Sequence, residues 1–131
     1  MGNLDSVDIS AIENMAEELT EAYLALDWDR FTSFFTDDAV WMPPDQPPLI
    51  GKEAWWSWIG GGWEKSTIER QIVNHEEIVI AGDWAFEWHT ETQVGQGWRA
   101  NFKGIWIMRR QADNSWKVAR YCFNYSPEDD A

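Results

Sequence analysis

Two histidines stand among a crowd of carboxylates, and their spacing is where chemistry is first sought. His89 lies between Glu87 and Glu91. Side chains two residues apart on a strand point the same way, so a carboxylate could orient and charge the imidazole for general-base work. The alternate residues Trp84, Phe86 and Trp88 are large and apolar. That alternation assigns the aromatics to the core and turns Glu87, His89 and Glu91 toward solvent or a partner. A bulge between Gly82 and Val94 would reverse the assignment and bring His89 inward. His75 precedes Glu76 and Glu77, but adjacent strand residues point to opposite faces and no third ligand follows at useful spacing. The expectation is therefore no metal site.

Other signatures of chemistry are missing. Gly60-Gly61-Gly62 lacks the following Lys-Ser or Lys-Thr of a phosphate loop, and no zinc-protease helix motif or Ser–His–Asp context occurs. The single cysteine, Cys122, excludes an internal disulfide framework, reads as a small buried residue, and suits a reducing cytoplasm.

The formal charge of −13 disfavours nucleic acid and anionic membrane surfaces as partners, since both need clustered Lys and Arg. Glu13, Glu17, Glu18 and Glu21, and the tail Glu128, Asp129, Asp130, read as solvated faces. Met1 to Ser10 carries no basic region followed by an apolar run, and no stretch approaches the length of a membrane span. Eleven tryptophans in 131 residues demand an unusual amount of aromatic burial. One domain over residues 1–131 is expected, with 1–8 and 126–131 as flexible tails.

The elements that must position these residues follow from periodicity. Ile12, Met15, Ala16, Leu19, Ala22, Tyr23 and Leu26 recur at helical spacing, and Ser10 with Glu13 has the capping-box arrangement. A short second helix is expected to begin at Asp27 or Asp29 and to carry Phe31, Phe34 and Phe35. Ala39 to Met42 reads as a strand ended by a proline-rich loop. Gly51-Lys52-Glu53 opens a third helix, carrying Trp55, Trp58 and Ile59, that stops at the glycine triplet, a candidate hinge. Four strands follow as a meander near 68–80, 84–94, 98–110 and 116–125. In the third of these, Trp98, Ala100, Phe102, Gly104, Trp106 and Met108 share one face. Helices first and an antiparallel sheet afterwards give an α+β order.

Phe35-Thr36-Asp37-Asp38-Ala39-Val40, Met42-Pro43-Pro44, Gly51-Lys52-Glu53, Gly82-Asp83-Trp84-Ala85, Met108-Arg109-Arg110 and Trp116-Lys117-Val118 occur in this order. Together they resemble the SnoaL-like and ketosteroid-isomerase-like families of the nuclear-transport-factor-2-like superfamily. The resemblance implies a conical, strongly bent, mostly antiparallel sheet packed against three N-terminal helices, a pocket between them, and a homodimer. It places Tyr23, Met42, Trp55, Trp58, Ile59, Phe102, Trp106, Tyr121 and Phe123 around that pocket.

Residue by residue, the isomerase's base, tyrosine and second acid fall on Met42, a position near Leu19, and Trp106. The dehydratase histidine falls on Gln71, and the epoxide-hydrolase aspartate on Tyr121. None matches the chemistry of its counterpart. Tyr121, on the implied pocket face with Phe123, could donate a hydrogen bond to a carbonyl or enolate oxygen, or simply pack with its hydroxyl on backbone.

Two functions stay open. One is binding of a small apolar molecule with cofactor-independent isomerisation or cyclisation by proton transfer, for which Tyr121 and His89 are the candidate catalytic residues. The other is a non-catalytic module that sequesters a ligand or associates with protein through its sheet.

Overall fold

The computed structural model describes residues 2–63 and 68–127. Helix α1 (Gly2–Leu24) buries Ile12, Met15, Ala16, Leu19 and Ala22, one stripe at intervals of three and four, and leaves its glutamates to water. It begins well before Ser10, so Ser10 is an interior helical residue rather than a cap. Residues 2–8 are thus helix and not a tail: Arg110 donates twice to the Asp8 carboxylate, at 2.8 Å each. Ser126 still belongs to the last strand, and residues 128–131, including the acidic tail, lie outside the described residues.

Helix α2 (Trp28–Thr32) is capped by Asp27, whose side chain accepts from the Arg30 amide at 3.2 Å. It ends before Phe34 and Phe35, and Phe35 opens strand β1 (Phe35–Met42). After Pro43-Pro44 a short β2 (Leu49–Ile50) pairs back onto β1, and α3 (Lys52–Trp63) follows. That helix runs through the glycine triplet, so the expected hinge is helical backbone.

Strands β3 (Ile68–Ala81), β4 (Trp84–Gly95), β5 (Trp98–Arg110) and β6 (Trp116–Ser126) form the antiparallel meander. The β3–β4 turn uses Gly82 at φ 66°, a conformation that costs a side-chain-bearing residue more. Six strands lie in the order β2-β1-β6-β5-β4-β3 in a curled, unclosed mixed sheet, β1 and β6 being its parallel pair. The three helices pack against it, as the resemblance implies.

Two bulges decide which side chains face inward. His75 pairs with His89 while Glu77 pairs with Trp88, leaving Glu76 as the extra residue on β3. Ile107 pairs with Arg120 and Met108 with Val118, leaving Ala119 extra on β6. Each bulge shifts the alternation by one, so Gln71, Val73 and His75 point to the same side as Ile78 and Ile80.

The face assignment for β4 is the reverse of the periodicity's. Trp84, Phe86 and Trp88 are 37 to 44% exposed, whereas Glu87 and His89 are fully buried. No bulge in β4 causes this, because its register with β5 is unbroken from Trp84 to Gly95. The aromatic alternation instead covers the outer surface of the sheet, with Arg109 over Trp84 at 5.3 Å. Cys122 is likewise exposed rather than buried, on the residue parity opposite to Tyr121 and Phe123.

Candidate functional site

A cavity of about 200 Å³ opens between the helices and the inner face of the sheet. Of the residues expected there, Tyr23, Trp58, Ile59, Phe102, Trp106, Tyr121 and Phe123 line it. Met42 does not; it is the last residue of β1 and partly exposed. Trp55 does not either. It is fully buried behind Trp41, stacked on it at 4.8 Å with rings 3° apart, and its indole donates to the Leu49 carbonyl at 3.1 Å. Leu19, Gln71, Trp106 and Tyr121, which the resemblance aligns with catalytic positions elsewhere, all stand in the wall.

The lining is mostly apolar, with polar groups supplied by Tyr23, Gln71, Glu91, Gln93 and Tyr121. Gln93 donates to Glu91 at 2.6 Å. Burial pushes the Glu91 carboxyl above its ordinary value, and the hydrogen bonds from Gln93 and Gln71 only partly offset that. Burial, reinforced by the nearby charge of Glu91, raises the Tyr23 phenol to about 12. The same causes carry Tyr121 well above 10. Both phenols therefore stay neutral and able to donate.

Several polar atoms on the wall lack partners. The Tyr121 hydroxyl makes no hydrogen bond among the described residues. The indole N–H groups of Trp41 and Trp106 and the amide oxygen of Gln71 are buried without a partner. Native interiors leave few such groups.

Behind Trp106 lies the second feature. The buried Glu87 carboxylate accepts from His89 Nδ1 at 2.7 Å with one oxygen and from His75 Nδ1 at 2.8 Å with the other. A carboxylate can only accept, so both rings carry their proton on Nδ1 and leave Nε2. Burial pushes the Glu87 carboxyl up, but the two histidine hydrogen bonds and charges outweigh it and hold it below its ordinary 4.5. Trp106 packs against both rings, at 5.7 Å from His75 and 5.3 Å from His89. His75, Glu87 and His89 each offer a ligand atom within 4.8 Å of the others. The companions that the strand of His75 does not supply thus both come from β4.

Glu91, Gln71 and Gln93 carry much of the cavity's polarity; the sequence reading turned Glu91 toward solvent, named Gln71 only as an aligned position, and passed over Gln93. The i, i+2 repeat of Glu87, His89, Glu91 and Gln93 was the available signal, read onto the wrong face.

Comparison with known proteins identifies the family. The model of the SnoaL-like domain matches residues 16–120. A ketosteroid isomerase-like protein from Erwinia carotovora atroseptica superposes with a TM-score of 0.71 at 26% identity, covering 90% of this chain and 96% of that one. A conserved protein from Planctomyces limnophilus gives 0.78 at 24% identity, covering 94% and 99%. An NTF-2 like protein of unknown function from Shewanella oneidensis gives 0.77 at 11%, covering 88% and 98%, a likeness of fold alone. No curated protein matches the chain. With the family model spanning most of its length, and helices, curled sheet and interior cavity all in place, this chain belongs to the SnoaL-like domain family.

Proposed function

We propose that the cavity binds a small, largely apolar molecule carrying a carbonyl or enol oxygen, and that Glu91 moves a proton on it. The observation that carries this is Glu91 itself, a carboxyl raised by burial in an apolar cavity that also presents an unpartnered Tyr121 hydroxyl. A raised carboxyl is a stronger base once ionised, and the neutral phenol donates where negative charge develops. The side chains present suffice for an isomerisation or cyclisation of that kind. At about 200 Å³ the cavity is smaller than the ~300–1,000 Å³ typical of drug-sized ligands, which favours single-ring compounds over steroids.

The test is tryptophan fluorescence during titration with cyclic enones, monoterpenoids and phenolic ketones, followed by exchange of the acidic C–H in D2O monitored by proton NMR. Saturable quenching with catalysed exchange is expected. Exchange that survives unchanged in Glu91→Gln would sink the assignment of the base.

Association through the sheet is a compatible second reading, favoured by the outer face. There Trp88 pairs with Ile105 and Phe86 with Ile107, all 37 to 43% exposed. A second copy of the chain offers the same apolar surface in return. Sedimentation of the wild type and of Trp88→Lys should show a dimer lost in the variant, and a monomeric wild type would rule the reading out. The lone free thiol of Cys122, exposed beside this surface, suits a cytoplasmic protein. Among the described residues no helix is long and apolar enough to cross a membrane.

A further inference from the structure

The geometry points to a divalent-cation site formed by His75, Glu87 and His89, taking an ion of the zinc type. The site stands apart from the proton-transfer reading and does not rest on it.

The first argument is the donor set. Two imidazoles and one carboxylate are the ligands with which three-coordinate protein sites hold zinc, leaving a fourth position for water or another ligand. Here they converge within 4.8 Å, from two strands whose register sets His75 directly opposite His89 and Glu87 two residues along the same face. The Glu76 bulge lets His75 face inward while Ile78 and Ile80 keep the core side of β3. Gly104 serves the same end from β5. A Cβ there would sit 3.0 Å from His89 Nε2, from the Cys122 carbonyl and from Phe123 Cβ, so the ring lies close over bare backbone.

The second argument is charge. Glu87 is fully buried, and among the described residues its ion-pair partners are these two histidines alone. A buried carboxylate is costly unless its charge is compensated, and a divalent ion held by Glu87 supplies that compensation.

The third argument is access and support. His75 keeps a fifth of its side chain exposed, which gives an ion a way in, whereas Glu87 and His89 are sealed. Trp106 braces both rings. On binding through Nδ1, the ion replaces the two bridging protons. A ring that carries one proton keeps it, now on Nε2, and the N–O contacts of 2.7 and 2.8 Å open by about 0.6 Å to the spacing that metal bonds of ~2.0–2.2 Å set at tetrahedral angles.

The experiment uses the full chain, stripped with a chelator and titrated with ZnCl2 in competition with a chromophoric chelator. Imidazole resonances are followed by nitrogen-15 NMR. Because the chain has two histidines, both signals are assignable and both belong to the site. One tightly held ion per chain is expected, with both imidazoles shifting together and CoCl2 giving visible absorption of a nitrogen-ligated ion. His75→Asn, chosen because His75 lies at the rim, should weaken Zn2+ binding by more than the ~10–100-fold that losing an outer hydrogen-bond partner costs elsewhere. Should that variant fail to fold, the wild-type imidazole shifts decide the matter. Binding that leaves both imidazoles unmoved would place the ion on the acidic surface and overturn the site, as would the absence of binding at millimolar Zn2+.

Discussion

His75 Nδ1 and Glu87 Oε2 meet at 2.8 Å although twelve residues and a strand reversal separate them. With His89 on the other oxygen, Glu87 is an acceptor that both rings need.

Replacing Glu87 with Gln keeps the shape but leaves one acceptor for two Nδ1–H donors. The variant is expected to lose about 1–3 kcal/mol in urea unfolding at neutral pH. The pH dependence has a definite sign. The folded-state carboxyl is held below 4.5, so its contribution is fully present above that value and fades as pH falls through the lower folded value. The gap between wild type and Glu87→Gln should therefore narrow on acidification below about pH 4.5. A gap that stays constant down to the acid transition would mean that the carboxylate is not what stabilises the pair.

Glu91 should behave oppositely. Its carboxyl is raised, so the charged form burdens the fold once pH exceeds the folded value, and the burden is absent below the ordinary 4.5. Glu91→Gln is expected to raise Tm at neutral pH by roughly 2–4 °C, in line with ~1 kcal/mol. It should also lower proton-transfer activity by about 10²–10⁴-fold. In the wild type, activity should fall as pH drops through a midpoint above 4.5. Differential scanning calorimetry and a kcat/KM profile check the two halves separately.

Much of the scaffold was legible because it rests on local rules. The stripe from Ile12 to Ala22, the Asp27 cap and the Gly82 turn each follow from residue type at a fixed offset. The polar heart of the site was not. Trp84, Phe86 and Trp88 outweigh Glu87, His89 and Glu91 in any hydrophobic pattern, yet burial depends on which face the helices cover, and the strand's own alternation does not say which face that is. Nor does spacing along one strand reveal a partner opposite it, which is why His75 looked like a histidine without ligating company.

Gly104→Ala probes the packing of His89 directly. The added methyl would crowd the Cys122 carbonyl, His89 Nε2 and Phe123 Cβ at 3.0 Å each, and backbone and a braced ring yield little. A loss of about 1–3 kcal/mol is expected, as for other overpacked interiors. The His89 imidazole resonance should move far more than that of His75. Equal shifts would argue for a general rearrangement of the sheet instead.

Tyr121→Phe separates chemistry from packing. The ring stacks on Phe123 at 4.8 Å and stands edge-on to Trp106 at 6.0 Å, contacts that phenylalanine keeps. Since the hydroxyl has no protein partner among the described residues, removing it strands no donor or acceptor, and Tm should stay within about 2 °C of wild type. If the hydroxyl donates to an oxygen that gains charge in the transition state, kcat should fall by about 10²–10³-fold while ligand affinity, read by indole quenching, changes much less. A loss confined to affinity would make Tyr121 an anchor for the bound molecule, and the developing charge would then have to be met by Tyr23 or by the unpartnered indole N–H of Trp106.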